Sequence, residues 1–357
     1  MRLLGVKKMN KTKRIWQRIY KHHMFLPILC LGLVLLFNLI KTPSFFHISI
    51  QNGVFYGYII DIINRSSELV ILAVGMTIVA AASGGTDISV GAVSALAGAV
   101  CIYALGSETT YQIPYIVGFI IAMLTGAICG SWNGFLVSKM NIQPMVATLI
   151  LFTAGRGIAQ LITEGQILYV RADSYRWLGS FIPGSPVPTP VIVAVIVVLV
   201  TSLFLRKTSM GLQIQAVGIN RKASRLVGFN SARVIFMAYM FCGLCAGITG
   251  MIVTSRVYSI DANNAGLNME LDAILAVALG GNNLGGGKFS LAGSVVGAVT
   301  IQALTTSLYA MKITADQLPI FKAIVVIIIV ALQSPECKRI LNHLKERLFS
   351  NKKEMTA

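Results

Sequence analysis

Ten long, mostly apolar stretches recur along this chain, at residues 24–40, 67–83, 88–106, 113–137, 144–163, 189–206, 232–254, 269–283, 289–309 and 317–333. Each is close to the roughly 20 residues that a helix needs to cross a hydrocarbon layer of about 30 Å. Inside a bilayer no water is present to satisfy backbone N–H and C=O groups, so segments of this kind are confined to internally bonded helices. The expected fold class is therefore an all-α membrane protein, a polytopic bundle of about ten transmembrane helices spanning residues 23–333. A composition of 55% hydrophobic and 12% charged residues agrees, since a water-soluble fold of that make-up would aggregate. Little of the chain is left for a soluble domain.

The formal net charge of +17 invites a nucleic-acid reading, which the placement of the charges argues against. Of the 30 Lys and Arg, 22 fall on segments that share one side of a ten-span bundle: the 1–22 and 334–357 ends, the 207–231 loop with its flanks, Lys139 and Lys288. Cytoplasmic segments carry such an excess, so both termini are expected in the cytoplasm and no nucleic-acid partner is implied. The first apolar run is too long for a cleaved signal and lacks a small-residue cleavage site, and so reads as a retained anchor. The opposite-side loops, 41–66 and 164–188, are too short to form domains, so a soluble receptor for any solute must be another chain. Six cysteines lie mostly within apolar runs and form no disulfide framework, and Cys242-x-x-Cys245 lacks the strand context of a redox motif.

Two segments interrupt the apolar pattern with glycine. Gly84 and Gly85 stand before Thr86-Asp87-Ile88-Ser89, and Gly280 and Gly281 stand before Asn282-Asn283-Leu284 and three more glycines. Backbone freed at such breaks must face protein or water rather than lipid. Paired, glycine-interrupted segments often flank a solute path. An internal repeat and plain close packing through small residues both fit the weak similarity between the breaks. A third segment, Gly211 to Asn230, is basic, and its Asn220 is placed to cap a short helix. That helix would carry Ala223, Leu226 and Val227 on one side and Arg221, Lys222 and Arg225 elsewhere, suiting a partner's groove or a membrane surface.

Ionisable groups within the apolar zone are few: Glu68, Asp87, Arg156, Glu270, Asp272 and Lys322. Each is expensive to bury and so is a functional candidate. Glu68 and Glu270 fall at expected helix starts, where the helix dipole favours a carboxylate. Lys322 is near enough to an end to snorkel, and Arg156 is expected to pair with a buried acid or backbone carbonyls. Asp87, Asn133, Gln143, Gln160, Asn263, Asn264 and Asp272 together could replace the water shell of a sugar, since carboxylates and carboxamides hydrogen-bond neighbouring hydroxyls. Asn133 and Gln160 also fit a role as bridges between helices.

Enzymatic readings find no support. No Gly-x-x-x-x-Gly-Lys-Ser/Thr phosphate loop exists, no nucleophile and base stand at useful spacing, and the four histidines lack metal-ligand spacing. The expectation is transport of a small polar solute, without a metal or cofactor in this chain. An ion-driven carrier using Asp87 or Asp272, and a purely structural membrane protein, are the other readings the residues allow.

Several stretches together resemble the permease subunit of bacterial sugar ABC importers, a group that includes ribose, xylose, galactose and galactofuranose permeases. They are Gly84-Gly-Thr-Asp-Ile-Ser-Val-Gly91, Asn133-Gly134, Ile142-Gln-Pro-Met-Val-Ala-Thr-Leu149, Ala154-Gly-Arg-Gly157, Glu164-Gly-Gln166, Ala216 to Ser224, and Glu270-Leu-Asp-Ala-Ile274 with Gly280-Gly281. Asp261 to Leu267 and Ile142 to Leu151 look most like the galactofuranose members. Thr86, where the group often has Ile, and the unusually glycine-rich second break depart from the pattern. The resemblance implies a cell inner membrane permease paired with a second copy or a related permease. It further implies two cytoplasmic ABC ATPase subunits that use ATP and an extracytoplasmic solute-binding protein. Gly218, Asn220, Arg221, Ala223 and Gly228 would then shape the ATPase-coupling loop at about 207–231, whose Arg221, Lys222 and Arg225 could instead hold anionic membrane lipid.

Overall fold

The computed structural model describes residues 25–41, 43–51, 54–106 and 110–333. The basic segments 1–22 and 334–357 lie outside the described residues. Every expected span is matched by a helix: α1 Phe25–Lys41, α2 Tyr58–Ser83, α3 Val90–Leu105, α4 Tyr115–Ser138, α5 Pro144–Ile162 and α6 Thr189–Lys207. After the short helices α7 Met210–Ile219 and α8 Arg221–Leu226 come α9 Ser231–Val257, α10 Met269–Leu279, α11 Leu291–Ala310 and α12 Leu318–Gln333. Six of these, α2, α4, α5, α6, α9 and α11, are long and apolar enough to cross a membrane, and the chain is an all-α polytopic membrane protein. Among the described residues, sheet is confined to two antiparallel pairs. Ser49–Gln51 pairs with Val54–Tyr56 between α1 and α2, and Leu168–Tyr169 with Ser259–Ile260 between the loops that follow α5 and α9.

Two boundaries differ from the sequence reading. Helix α2 begins at Tyr58 rather than 67, because Asp61, Asn64 and Arg65 dilute the apolar signal of its first turns without breaking the helix. Glu68 consequently lies inside α2 and not at its start. Helix α10 stops at Leu279, since Gly280 and Gly281 form a turn rather than a final helical turn.

Apolar content does not reveal which helix is central. Helix α6 is the most apolar of the six long helices and is only 22% buried, whereas α2 is 94% buried. Around α2 stand α6, α7, α9, α10 and α11, while α9 also crosses α3 and α4. The most extensive contact between helices is that of α4 with α9. A β-carbon on Gly126 would strike the Gly243 carbonyl oxygen, one on Gly243 the Gly126 oxygen, one on Gly130 the Tyr239 oxygen and one on Gly247 the Ala122 oxygen. Glycines four residues apart on each helix thus let backbone rest on backbone, which suits a solvent where apolar burial alone cannot drive association. The Cys242 and Cys245 thiols are free and pack against Gly75 of α2, so that pair serves packing.

We expect Gly130→Val or Gly243→Val to abolish the monodisperse peak of the detergent-purified protein in size exclusion. Gly32→Val should leave it intact, since nothing lies within 4 Å of a β-carbon there.

Candidate functional site

Helix α2 ends at Ser83, where Gly84 turns left-handed (φ 65°) and its N–H closes onto the Ala80 carbonyl at 3.0 Å. The chain then reverses through Gly85-Thr86 to Asp87. The Asp87 carboxylate accepts from the Ser89 backbone N–H at 2.9 Å and the Ser89 hydroxyl at 2.6 Å. From α4, the Asn133 amide donates to Ser89 Oγ at 2.9 Å and reaches Asp87 at 3.4 Å. Asp87 and Asn133 are almost fully buried, and together they anchor the start of α3.

The second break uses the same device with different residues. Asn282 Oδ1 accepts from the Ser290 N–H at 2.6 Å, its amide donates to Ser294 Oγ at 2.8 Å, and Ser290 Oγ caps α11 by accepting from the Gly293 N–H at 3.2 Å. Thr77 of α2 joins Ser294 through hydroxyls 2.6 Å apart. Asn282 is a residue the sequence reading missed, because an amide eight positions ahead of the serine it holds leaves no local pattern. Gly280 and Gly281 stand at the end of α10, with Gly280 packed on Gly293 of α11.

The two breaks and the basic loop converge. The Gly287 N–H donates to the Ala81 carbonyl at 3.0 Å. A β-carbon on Gly84 would sit 2.9 Å from the Gly285 oxygen, one on Gly286 2.7 Å from the Gly218 oxygen, and one on Gly218 would collide with the Ala81 oxygen. Arg221 adds a guanidinium bond of 2.8 Å to the Ser83 carbonyl, the last of α2, where the helix dipole favours a cation. Asn220 caps α8 by accepting from the Ala223 N–H at 3.0 Å. Gly228 (φ 90°) closes α8, with its N–H on Arg225 and that of Phe229 on Ser224, the pairing of a Schellman turn. At the tip, Leu226 and Val227 are 91% and 75% exposed.

A second polar group lies on α5. Arg156 donates to the carbonyls of Ala262 (2.9 Å), Asn263 (2.7 Å) and Ala265 (3.2 Å), and Gln160 donates to Asn263 Oδ1. Asn264 donates to Asp261 at 2.6 Å. Gln160 and Asn263 are thereby brought together, whereas Asn264, next to Asn263 in the loop, bonds Asp261. Gln143 stays apart, exposed ahead of α5. Asp272 also stays apart, held by Lys322 of α12 at 3.0 and 2.8 Å, so Lys322 pairs with an acid instead of snorkelling. Glu68 is likewise paired, to Arg256 at the end of α9 at 2.6 Å. Among the described residues no group of His, Cys, Asp and Glu could hold a metal ion.

The relatives of this helical membrane bundle are transport permeases, not enzymes. A family profile described as branched-chain amino acid transport system, permease component, matches residues 58–332, and the chain belongs to that family. It is 43% identical over 322 residues to the galactofuranose transporter permease protein of Escherichia coli K12, covering 90% of this chain and 92% of that one. It is 37% identical to the fructose import permease protein of Bifidobacterium longum, covering 83% of each. To the ribose import permease protein of Escherichia coli K12 it is 35% identical, covering 85% of this chain and 92% of that one. No solved structure gives a significant match.

Because Asp87 acts by accepting hydrogen bonds from Ser89 N–H, Ser89 Oγ and Asn133, Asp87→Asn should keep the fold with a loss of about 1 kcal/mol. Asp87→Leu, which strands the backbone N–H and hydroxyl donors of Ser89, should cost about 1–3 kcal/mol for each. Melting temperatures in detergent check the ranking.

Proposed function

We propose that this chain is the membrane-spanning permease subunit of an ATP-binding-cassette importer for a monosaccharide, with galactofuranose the first candidate. The sugar class is supported by the relatives, all three of which are named for sugar transport. The coupling role is carried by one observation: the α7–α8 arm offers an exposed apolar tip, Leu226 and Val227, while its base is hydrogen-bonded to the first glycine break and in close backbone contact with the second. An apolar knob flanked by Lys222 and Arg225 suits a groove on a cytoplasmic ATPase, and movement of the arm would reach both breaks through backbone contacts.

In this arrangement the arm, the 1–22 segment and the 334–357 segment face the cytoplasm, and the permease works beside a second copy or a related permease. An extracytoplasmic solute-binding protein would meet the far ends of α3 and α4. There Tyr111, Gln112, Asp173 and Trp177 line an open cavity of about 750 Å³. Asp87, Asn133 and the two glycine breaks hold the bundle near the path, and Gln160, Asn263 and Asn264 are the candidates for facing solute. An ion-driven carrier using Asp87 or Asp272 is less well supported, because that carboxylate would have to be free to take up its ion. Asp87 is engaged by Ser89 and Asp272 by Lys322.

Purification from native membranes in mild detergent should bring down an ABC ATPase in stoichiometric amount. The pair Leu226→Asp and Val227→Asp should lose that ATPase while the permease stays monodisperse. A stable wild-type permease that elutes alone would overturn the importer reading.

A further inference from the structure

Of the three cations on the arm, Lys222 and Arg225 are exposed, while Arg221 is half-buried and its guanidinium turns inward. Its partner is the end of α2. The last four carbonyls of a helix have no partner within it, and at a packed end they must find one elsewhere. The Ala80 carbonyl is taken by the Gly84 N–H at 3.0 Å, that of Ala81 by the Gly287 N–H at 3.0 Å and that of Ser83 by the Arg221 guanidinium at 2.8 Å. The end of α2, the most buried of the six long helices, is thus completed by the second break and by the arm.

Beyond Gly84 the chain is held by other elements. Gly85 packs against Pro144 and the Ile88 N–H donates to Thr148 Oγ1 at 3.2 Å, both on α5, while Asp87 and Ser89 are held by Asn133 of α4. Helix α9 packs against both sides, but little joins them directly. Among the described residues α2 and α3 scarcely touch, and the Asp87 N–H meets Met76 of α2 through sulfur, a weak acceptor, at 3.4 Å. Gly84, left-handed at φ 65°, links the two sides.

The arm is folded by bonds that do not involve the Arg221 side chain. Asn220 caps α8, the Ser224 hydroxyl donates to the Asn220 carbonyl at 2.9 Å, and the Ser231 hydroxyl at the start of α9 donates to the Arg221 carbonyl at 3.3 Å. What the guanidinium adds is a charge-assisted bond from the arm to α2. The other meeting of arm and α2, Gly218 against the Ala81 carbonyl, is backbone contact without a hydrogen bond, so it can push but cannot pull.

We propose that Arg221 is a positioning residue that draws the end of α2 along when the arm withdraws, with Gly84 as the hinge that lets α2 turn against Asp87 and α3. This rests on the importer reading and adds to it which helix the ATPase drives and by which bond. A withdrawing arm would strand the carbonyl of the buried Ser83 unless α2 followed it.

The test uses the intact complex of permease, ATPase and binding protein in proteoliposomes, with ATP hydrolysed and sugar taken up read together. Arg221→Met, with Leu226 and Val227 untouched, should keep the ATPase in stoichiometric amount and most of its hydrolysis. Sugar moved per ATP should fall about tenfold, the scale of one charge-assisted hydrogen bond. Arg221→Lys, which returns a cationic donor, should recover most of that ratio. If Arg221→Met does not elute monodisperse, Arg221→Gln, a neutral donor of shorter reach, carries the same measurement, and sugar per ATP should fall more than twofold. Sugar per ATP within twofold of wild type in the variant measured, no recovery in Arg221→Lys, loss of the ATPase, or hydrolysis and uptake falling in equal measure would each overturn the proposal. Failure of the wild-type chain to co-purify with an ATPase would instead remove the importer reading.

Discussion

Where α4 meets α9, backbone touches backbone, and the positions of the other elements follow from that contact. In hydrocarbon, helices gain little from burying apolar side chains, so association depends on close packing and on hydrogen bonds between helices. Glycines at 126 and 130 on one helix and at 243 and 247 on the other remove the side chains that would hold the axes apart. With α9 fixed in this way, its other face meets α2 and α3, and Asn133 of α4 comes within reach of Ser89. The first glycine break is therefore held by the same crossing that builds the core.

Polar side chains are spent on holding interrupted helices in place. Asp87 and Asn282 each take up the N–H of a serine beside the start of the helix that follows, while the hydroxyl pair of Thr77 with Ser294 ties the start of α11 to α2. Glu68 with Arg256 and Asp272 with Lys322 neutralise charges that would otherwise be costly in a mostly buried position. The glycine junction of Gly84, Gly218 and Gly286 has a different character. It has no side chains to yield, so displacement of the arm is passed on to both breaks rather than absorbed.

Local chemistry was legible in the chain wherever its signal spans a few residues. The apolar runs mark the helices to within a turn or so, apart from the start of α2, and Asn220 and Gly228 mark the ends of α8 because cap and left-handed turn are set within four or five residues. The candidate site was legible only as a set of residue types. Nothing in the sequence separates Gln160 and Asn263, which meet 103 positions apart, from Gln143, which meets neither. Lys322 looked like a snorkelling end residue because its partner Asp272 lies 50 positions away.

By itself, the sequence determined an all-helical membrane protein with two glycine interruptions and a capped basic arm, because the bilayer leaves apolar segments of that length no other way to satisfy their backbones. Which helix sits at the centre, which acid meets which base, and the convergence of both breaks on the arm were decided only by tertiary structure. In a lipid solvent every span is apolar whether it faces lipid or protein. Centrality is therefore settled by where small residues allow backbones to close, and pairing by which distant side chains that closure brings together.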